Sequence, residues 1–256
     1  MVHPALYVPN IIGYLRTIFL ILSWVYSLQD PVLYVIFYSV SYILDALDGY
    51  TARLLNQCSR FGAVLDMVID RASTSCLFVV LSNVYPKWGV IFSCLISLDI
   101  SSHFMQMYSA LYSKKDSHKD PQGQNFLLRL YYGNKFFLGL LVTMAEVFNI
   151  FLYLSYFDSI YGIKVPLFKS FLSPDVIVTL QQYIPQQFIN MNVFGFVALL
   201  SMPLAALKHF INLVQLLSAS SVLIALDQES YVFGDSAKKN NSKNKKNISK
   251  NKKKQK

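Results

Sequence analysis

Four aspartates at fixed spacing carry most of the chemistry that this sequence offers. Asp45 and Asp48 are three residues apart, and Asp66 and Asp70, further along the chain, are four apart. Residues at these spacings share a face of an α-helix, so two helices that meet at these faces gather four carboxylates. Such a cluster in a low dielectric needs cations. Because the ligands are hard oxygens with no His or Cys cluster nearby, the motif predicts Mg²⁺ or Mn²⁺, with two ions expected.

The residues beside these aspartates indicate a phosphate-containing ligand. Gly49 and Ala52 leave one helical edge free of bulk, which lets a ligand approach the backbone, and Arg53 adds a fixed cation suited to a phosphate. Gly62 permits either a close approach of helices or a turn. Two metal ions stabilise both the attacking and the leaving oxygen of a phosphoryl transfer. The motif therefore predicts a site for a pyrophosphate-containing nucleotide.

The elements that position this motif are predicted to be membrane-spanning helices. The chain of 256 residues is 54% hydrophobic and 14% charged, far below the roughly 25% charged residues of soluble domains. Its apolar blocks are long enough to cross the hydrocarbon core. The sequence thus predicts an all-α polytopic membrane protein, a six-transmembrane-helix bundle, with spans near residues 10–29, 31–50, 62–84, 88–110, 136–157 and 192–222.

The positive charge of the chain is concentrated in its last residues. Residues 238–256 contain ten lysines and no acid, so the rest has 13 Lys and Arg against 14 Asp and Glu. Nucleic-acid binding by the folded part is therefore not implied. We predict a membrane domain over 1–236 and a disordered lysine-rich tail over 237–256.

The distribution of Lys and Arg between the connections predicts an orientation. With the N-terminus in the cytosol, most basic residues fall on the cytosolic side, together with the aspartate motif and both termini. Lys253-Lys254-Gln255-Lys256 fits a dilysine retrieval signal of the endoplasmic reticulum. We therefore expect a multi-pass protein of that membrane.

The full motif, D-x2-D-G-x2-A-R-x8-G-x3-D-x3-D, resembles the signature of the CDP-alcohol phosphatidyltransferases at all eight of its positions. These are integral membrane enzymes with a six-helix core. The resemblance implies that the first three aspartates hold one metal ion, and that Asp45, Asp66 and Asp70 hold the second. It also implies that Asp70 is the general base, and that Gly49, Arg53 and Ser59 contact the CDP group.

Further segments resemble the eukaryotic phosphatidylinositol synthases within that family. They include residues 7–16, 54–57, 97–99 and 117–119. The resemblance implies transfer of the phosphatidyl group of CDP-diacylglycerol to myo-inositol with release of CMP, in contact with the lipid bilayer; a homodimer is compatible with it. Serine or glycerol 3-phosphate as acceptor is the alternative within the enzyme class. A non-catalytic membrane scaffold or a transporter is the alternative outside it.

Two residues of the first span are additional candidates for the nucleotide site. Arg16 lies inside the span and needs an anion or a polar cavity. We predict that the anion is the pyrophosphate. Asn10 follows Pro9 and is predicted either to cap the first helix or to line the nucleotide pocket.

The candidates for binding the acceptor alcohol lie further along the chain. Asp99, Ser102 and His103 share one face of the fourth span, which suits either a polyol or an interhelical hydrogen-bond cluster. Ser117, His118 and Lys119 lie in the following loop, and either cover the site or form a plain surface loop. Glu146 is a further acid within a span, and the sequence assigns it no role.

Overall fold

The computed structural model of the protein describes residues 3–116, 126–161, 173, 176, 179 and 192–254. Ser117, His118 and Lys119 lie outside these ranges, as does most of the stretch 158–191 between the last two predicted spans. Every regular element in the described ranges is helical. The α-helices are α1 (Val8–Tyr26), α2 (Pro31–Leu54), α3 (Arg60–Val84), α4 (Gly89–Asp116), α5 (Phe126–Gly133), α6 (Lys135–Tyr161) and α7 (Val193–Lys254).

Short polar side chains fix where four of these helices begin. The Asp30 carboxylate accepts hydrogen bonds from the first backbone N–H groups of α2, whose first residue is a proline. Ser59 caps α3, Asn134 caps α6, and Asn192 caps α7 in the same way. Each cap satisfies a backbone donor that has no partner within its helix. The starts of α2 and α3 matter most, because these helices carry the aspartates.

Within the ranges that the structure describes, five helical segments are long and apolar enough to cross a membrane. They are Val8–Tyr26, Pro31–Leu54, Pro86–Tyr112, Lys135–Phe157 and Val193–Gln228. Large apolar side chains such as Ile11, Leu15 and Ile18 are exposed along one face of α1, as expected beside lipid. The all-α polytopic fold is confirmed. The predicted count of six spans is not, because α3, which carries Asp66, Asp70 and Arg71, is not among these five segments.

The chain forms two compact units, and the first comprises Met1–Ile100 and Asn134–Phe210. Its core is built from buried side chains of α1, α2, α3, α4 and α6. The rings of Tyr34 and Tyr153 lie 4.4 Å apart, and the Tyr153 hydroxyl donates to the carbonyl of Ser27 at 2.7 Å. This buried bond ties α6 to the turn between α1 and α2. The unit therefore holds these helices together through both apolar packing and a satisfied polar group.

The second unit comprises Ser101–Gly133 and Ile211–Lys256. Its described polar contacts centre on Gln215, which is 1% exposed. The Gln215 amide donates to the carbonyl of Ser102 and accepts from the Tyr132 hydroxyl. The helix α7 runs unbroken past residue 237 to Lys254. The predicted division at 236, into a membrane domain and a tail, therefore does not coincide with a helix end, and it stays a prediction.

Candidate active site

The four aspartates of the motif come together from two consecutive helices of the first unit. α2 carries Asp45 and Asp48, and α3 carries Asp66 and Asp70. Carboxylate oxygens of the first three all lie within 4.8 Å of one another. The carboxylate of Asp48 is nearly buried, whereas the Asp66 side chain is 48% exposed. The cluster is thus held by the helices and is open to a ligand on one side.

The guanidinium of Arg16, on α1, lies among all four carboxylates. Its Nη1 is 2.7 Å from Asp48 Oδ2 and 2.8 Å from Asp66 Oδ1. Its Nη2 is 2.5 Å from Asp45 Oδ1 and 2.7 Å from Asp70 Oδ1. Arg16 is 3% exposed. An intramembrane cation needs an anion, and here the aspartates supply it. The predicted contact of Arg16 with a pyrophosphate stays a prediction.

The donor set of this cluster fits a hard divalent cation. Two oxygens on opposite sides of a cation with bonds of about 2.1 Å are roughly 4.2 Å apart. The three aspartate oxygens lie within a slightly larger distance, 4.8 Å. When all groups are ionised, the four carboxylates and Arg16 carry a net charge of −3. Both the oxygen chemistry and the excess negative charge therefore favour cation binding.

Six of the seven residues predicted to bind the nucleotide line one cavity of about 160 Å³ beside the aspartates. They are Asn10, Gly49, Ala52, Arg53, Ser59 and Gly62. Asp48 and Asp66 line the same cavity, and Arg16 does not. In the part of the chain that the structure describes, the exposed Arg53 forms no ion pair within 4 Å. A guanidinium without a carboxylate partner at a cavity is suited to an anionic ligand.

Gly62 allows α1 and α3 to approach closely at this cavity. A Cβ atom on Gly62 would lie 2.7 Å from Asn10 Oδ1 and 3.1 Å from Ser59 Oγ. Of the two roles left open by the sequence, close helix approach is the one found. Asn10 is the third residue of α1, and the residue at the N-cap position of that helix is Tyr7, whose side chain makes no capping hydrogen bond. Its Nδ2 donates to the carbonyl of Pro4 at 2.7 Å, so Asn10 lines the pocket and does not cap.

The turn between α2 and α3 supplies two cavity residues that sequence reasoning missed, Gln57 and Cys58. Asn56 has a φ of 52°, a left-handed conformation that asparagine tolerates better than most residues. The N–H of Gln57 then bonds the carbonyl of Ala52, closing α2 with a Schellman-type turn. The Gln57 Oε1 accepts from the backbone N–H of Val8 at 2.8 Å. Their position in the sequence, between Arg53 and Gly62 of the motif, is the feature that indicates a place at this cavity.

Comparison with known proteins identifies the family. The sequence model of the CDP-alcohol phosphatidyltransferases matches residues 6–161, which include the aspartate cluster and the residues that line the larger cavity. The chain belongs to the CDP-alcohol phosphatidyltransferase family. Enzymes of this family generally depend on a divalent metal, in agreement with the aspartate cluster.

Curated relatives match across most of the chain. The CDP-diacylglycerol–inositol 3-phosphatidyltransferase of Schizosaccharomyces pombe is 38% identical over 224 residues, 87% of this chain and 91% of the relative. An Arabidopsis thaliana protein of that name, numbered 1, is 38% identical over 88% of this chain and 91% of its own length. The Homo sapiens protein of that name is 36% identical over 87% and 93%. No solved structure matches the chain.

A second, smaller cavity of about 60 Å³ lies on the side of Asp45 and Asp70, the two aspartates that do not line the larger cavity. Its polar lining comes from α1, α2, α3 and α6. The residues that supply it are Arg16, Tyr38, Ser41, Tyr42, Arg71, Ser73, Thr74 and Glu146. The aspartate cluster of this family member therefore has two different cavities beside it. Glu146 is the acid to which the sequence assigns no role, and Tyr38 and Ser73 are not among the residues that the sequence predicts for a site.

The predicted acceptor-binding residues on α4 do not line either cavity. Asp99 is 0% exposed, and it accepts from Arg71 Nη1 at 2.6 Å and from Lys208 Nζ at 3.0 Å. Both of its oxygens are therefore engaged by cations of the same unit. Ser102 is likewise 0% exposed, and its hydroxyl lies 3.2 Å from the Nδ1 of His103. Their role as acceptor contacts stays a prediction.

Proposed function

We propose that this protein is a phosphatidylinositol synthase, which transfers the phosphatidyl group of CDP-diacylglycerol to myo-inositol and releases CMP. The observation that carries the proposal is the cavity shared by six predicted nucleotide residues and two aspartates of the cluster. The acceptor is supported by relatives named CDP-diacylglycerol–inositol 3-phosphatidyltransferase, which match this chain over 87% or more of its length.

The metal proposed for this cluster is Mg²⁺ or Mn²⁺, as two ions. Asp45, Asp48 and Asp66 would hold one ion, and Asp45, Asp66 and Asp70 the other. The net charge of −3 on the cluster supports two divalent ions, because a single one leaves it negative. When bound, such ions supply positive charge that stabilises the phosphate oxygens in the transition state. Arg16 would keep the four carboxylates at a common centre.

The nucleotide would occupy the larger cavity, with its cytidine diphosphate near Arg53, Gly49 and Ser59. Arg53 supplies charge to the phosphates. Gly49 leaves space for them, because beyond its own helix backbone only the Arg53 side chain would lie within 4 Å of a Cβ atom there. Asp70 lines the smaller cavity and not the larger one, so the acceptor would approach from the smaller cavity. An in-line displacement would require the attacking oxygen to arrive opposite the leaving CMP, which separate cavities for acceptor and nucleotide would permit.

The proton of the acceptor hydroxyl would pass to a carboxylate oxygen of Asp70. The acceptor oxygen forms a bond to the lipid-side phosphorus, and the bond from that phosphorus to the CMP oxygen breaks, so that CMP leaves with the electron pair. Asp70 Oδ1 is held by Arg16, and Asp70 Oδ2 lies 3.7 Å from Arg71 Nη2. These two cations fix the direction of the carboxylate, which general-base catalysis requires.

We further propose that the enzyme lies in the endoplasmic reticulum with its active site and both termini in the cytosol. The excess of Lys and Arg in the predicted cytosolic segments supports this orientation. A homodimer is part of the proposal, and cross-linking in the native membrane tests it.

The substrate proposal is tested with the purified full-length protein in lipid nanodiscs. CDP-diacylglycerol and Mg²⁺ or Mn²⁺ are supplied, and CMP release and lipid product are measured with myo-inositol, serine or glycerol 3-phosphate. We expect inositol-dependent CMP release and phosphatidylinositol as the lipid product, and loss of both when the metal is chelated. Product formed with serine or glycerol 3-phosphate but not with inositol would refute the acceptor assignment.

A further inference from the structure

The smaller cavity beside Asp45 and Asp70 is lined by hydroxyl groups and by the carboxylate of Glu146, which come from three helices. Resting on the proposed function, we propose that Glu146, together with Tyr38 and Ser73, binds hydroxyl groups of the acceptor and determines the preference for a neutral polyol. Glu146 would be a specificity-determining residue of the same site. It lies on α6, whereas the aspartate motif lies on α2 and α3.

The three side chains form one hydrogen-bonded chain across the helices. The Tyr38 hydroxyl, on α2, donates to Glu146 Oε2 at 2.8 Å. The Ser73 hydroxyl, on α3, donates to the Tyr38 oxygen at 3.2 Å. These hydrogen bonds align a carboxylate, a phenol and an alcohol along the cavity wall. A polyol offers alternating donors and acceptors, and a linked set of this kind matches them with fixed geometry.

One carboxylate oxygen of Glu146 remains available to accept a hydrogen bond. Among the described residues, no side chain donates to its Oε1, and no Lys or Arg lies within 4 Å of it. Asp99 provides the contrast in the same unit, because Arg71 and Lys208 occupy both of its oxygens. An ionisable group at membrane depth with no cation within ion-pair distance is a candidate functional residue by default. Glu146 lines a cavity, where a ligand hydroxyl can donate to it.

The charge of the cavity explains the class of acceptor. Glu146, Asp45 and Asp70 all line it, against the two cations Arg16 and Arg71, and both cations already contact aspartates. A third carboxylate disfavours an acceptor that carries a phosphate, because like charges repel strongly where water is excluded. The same carboxylate accepts hydrogen bonds from neutral hydroxyl groups. A neutral polyol therefore fits this wall better than glycerol 3-phosphate does.

The test compares Glu146→Gln and Tyr38→Phe with the matched control Tyr85→Phe. Tyr85 also donates its hydroxyl across helices, to the carbonyl of Leu152 at 3.0 Å, but it does not line the cavity. For Glu146→Gln we expect the KM for myo-inositol to rise about 10- to 100-fold, since a hydrogen bond to a charged group is lost. For Tyr38→Phe we expect about 2- to 10-fold. In both, we expect the KM for CDP-diacylglycerol to change by less than about 2-fold, because neither residue lines the nucleotide cavity.

A second readout separates binding from a merely structural role. The ratio of kcat/KM for myo-inositol to that for glycerol 3-phosphate should fall in Glu146→Gln, because the repelling charge is gone, and should stay unchanged in Tyr85→Phe. A loss of folding would raise the KM for myo-inositol and the KM for CDP-diacylglycerol together, or lower the enzyme yield. It would not change the preference for myo-inositol over glycerol 3-phosphate. Such a loss of folding in both Glu146→Gln and Tyr38→Phe, with no change in this preference, would overturn the inference.

The failure of this inference differs from the failure of the proposed function. If wild-type protein forms phosphatidylinositol and the two variants keep its KM for inositol, only the role of Glu146 is refuted. If wild-type protein shows no inositol-dependent CMP release, the proposed function is refuted, and the inference with it.

Discussion

Replacing Gly62 with alanine is the most direct test of the nucleotide cavity. The new Cβ would lie 2.7 Å from Asn10 Oδ1 and 3.1 Å from Ser59 Oγ. Ordinary contact begins near 3.4 Å, so Asn10 must move by about 0.7 Å. Its amide is held by a 2.7 Å hydrogen bond to the carbonyl of Pro4, and this bond must stretch or break. Because Asn10 lines the cavity, the substitution pushes it out of the position that shapes the nucleotide site.

The expected size of the effect follows from the cost of overpacking. An added methyl group in a tightly packed site costs about 1–3 kcal/mol, which corresponds to roughly 5- to 150-fold in an equilibrium constant. We expect the KM for CDP-diacylglycerol to rise by about 10-fold or more, while the KM for myo-inositol changes by less than about 2-fold. Initial rates of CMP release with either substrate varied give both values. The split between them identifies the cavity that is disturbed.

The chain offers a matched control and a rescue for this experiment. Gly139 is also a helical glycine of the first unit, and a Cβ atom there would meet nothing within 4 Å, so Gly139→Ala should leave both KM values unchanged. Shortening the clashing side chain in Gly62→Ala/Asn10→Ala removes the overlap with Oδ1 and should recover part of the loss. A normal KM for CDP-diacylglycerol in Gly62→Ala would refute the assignment of this cavity to the nucleotide.

Three further outcomes are expected. Asp70→Asn should reduce turnover by at least about 100-fold, because the general base is lost, while equilibrium binding of CDP-diacylglycerol is largely kept; turnover near the wild-type rate would exclude Asp70 as the base. Arg53→Gln should raise the KM for CDP-diacylglycerol about 10-fold through loss of a charge-assisted contact, with partial recovery in Arg53→Lys, and an unchanged KM would remove Arg53 from the phosphate site. Cys58 is exposed and lines the nucleotide cavity. In a variant lacking Cys76 and Cys94, an impermeant maleimide should label it in sealed endoplasmic-reticulum vesicles, and CDP-diacylglycerol with Mg²⁺ should slow the labelling; labelling only after permeabilisation would contradict the cytosolic orientation.

Features that depend on neighbours along the chain were accessible from the sequence. The spacings of Asp45 with Asp48 and of Asp66 with Asp70 place each pair on one helical face, and the structure brings all four together. The second span is predicted to begin near residue 31, and α2 does begin there, with the Asp30 carboxylate as its cap. Helical periodicity and capping act over three or four residues, so they can be read without knowing the fold.

Contacts between residues far apart in the sequence could not be predicted from periodicity and capping. Asn10 had two open roles, and the contact of α1 with Gly62 decided for the pocket. Asp99 carried a polar signal on α4, but only the packing of α3 and α7 showed that Arg71 and Lys208 engage its oxygens. A polar residue in a span needs some partner, and the sequence does not say which helix provides it.

The sequence by itself determined that this is a membrane chain and predicted its chemistry: four carboxylates for metal ions, and a small-residue edge with Arg53 for a phosphate. The tertiary structure decided what surrounds that chemistry. It placed Arg16 at the centre of the aspartates and joined Tyr38 to Glu146, which is 108 residues away. Local spacing fixes which side chains share a helical face, whereas the angle and partner of each face depend on packing among several helices at once.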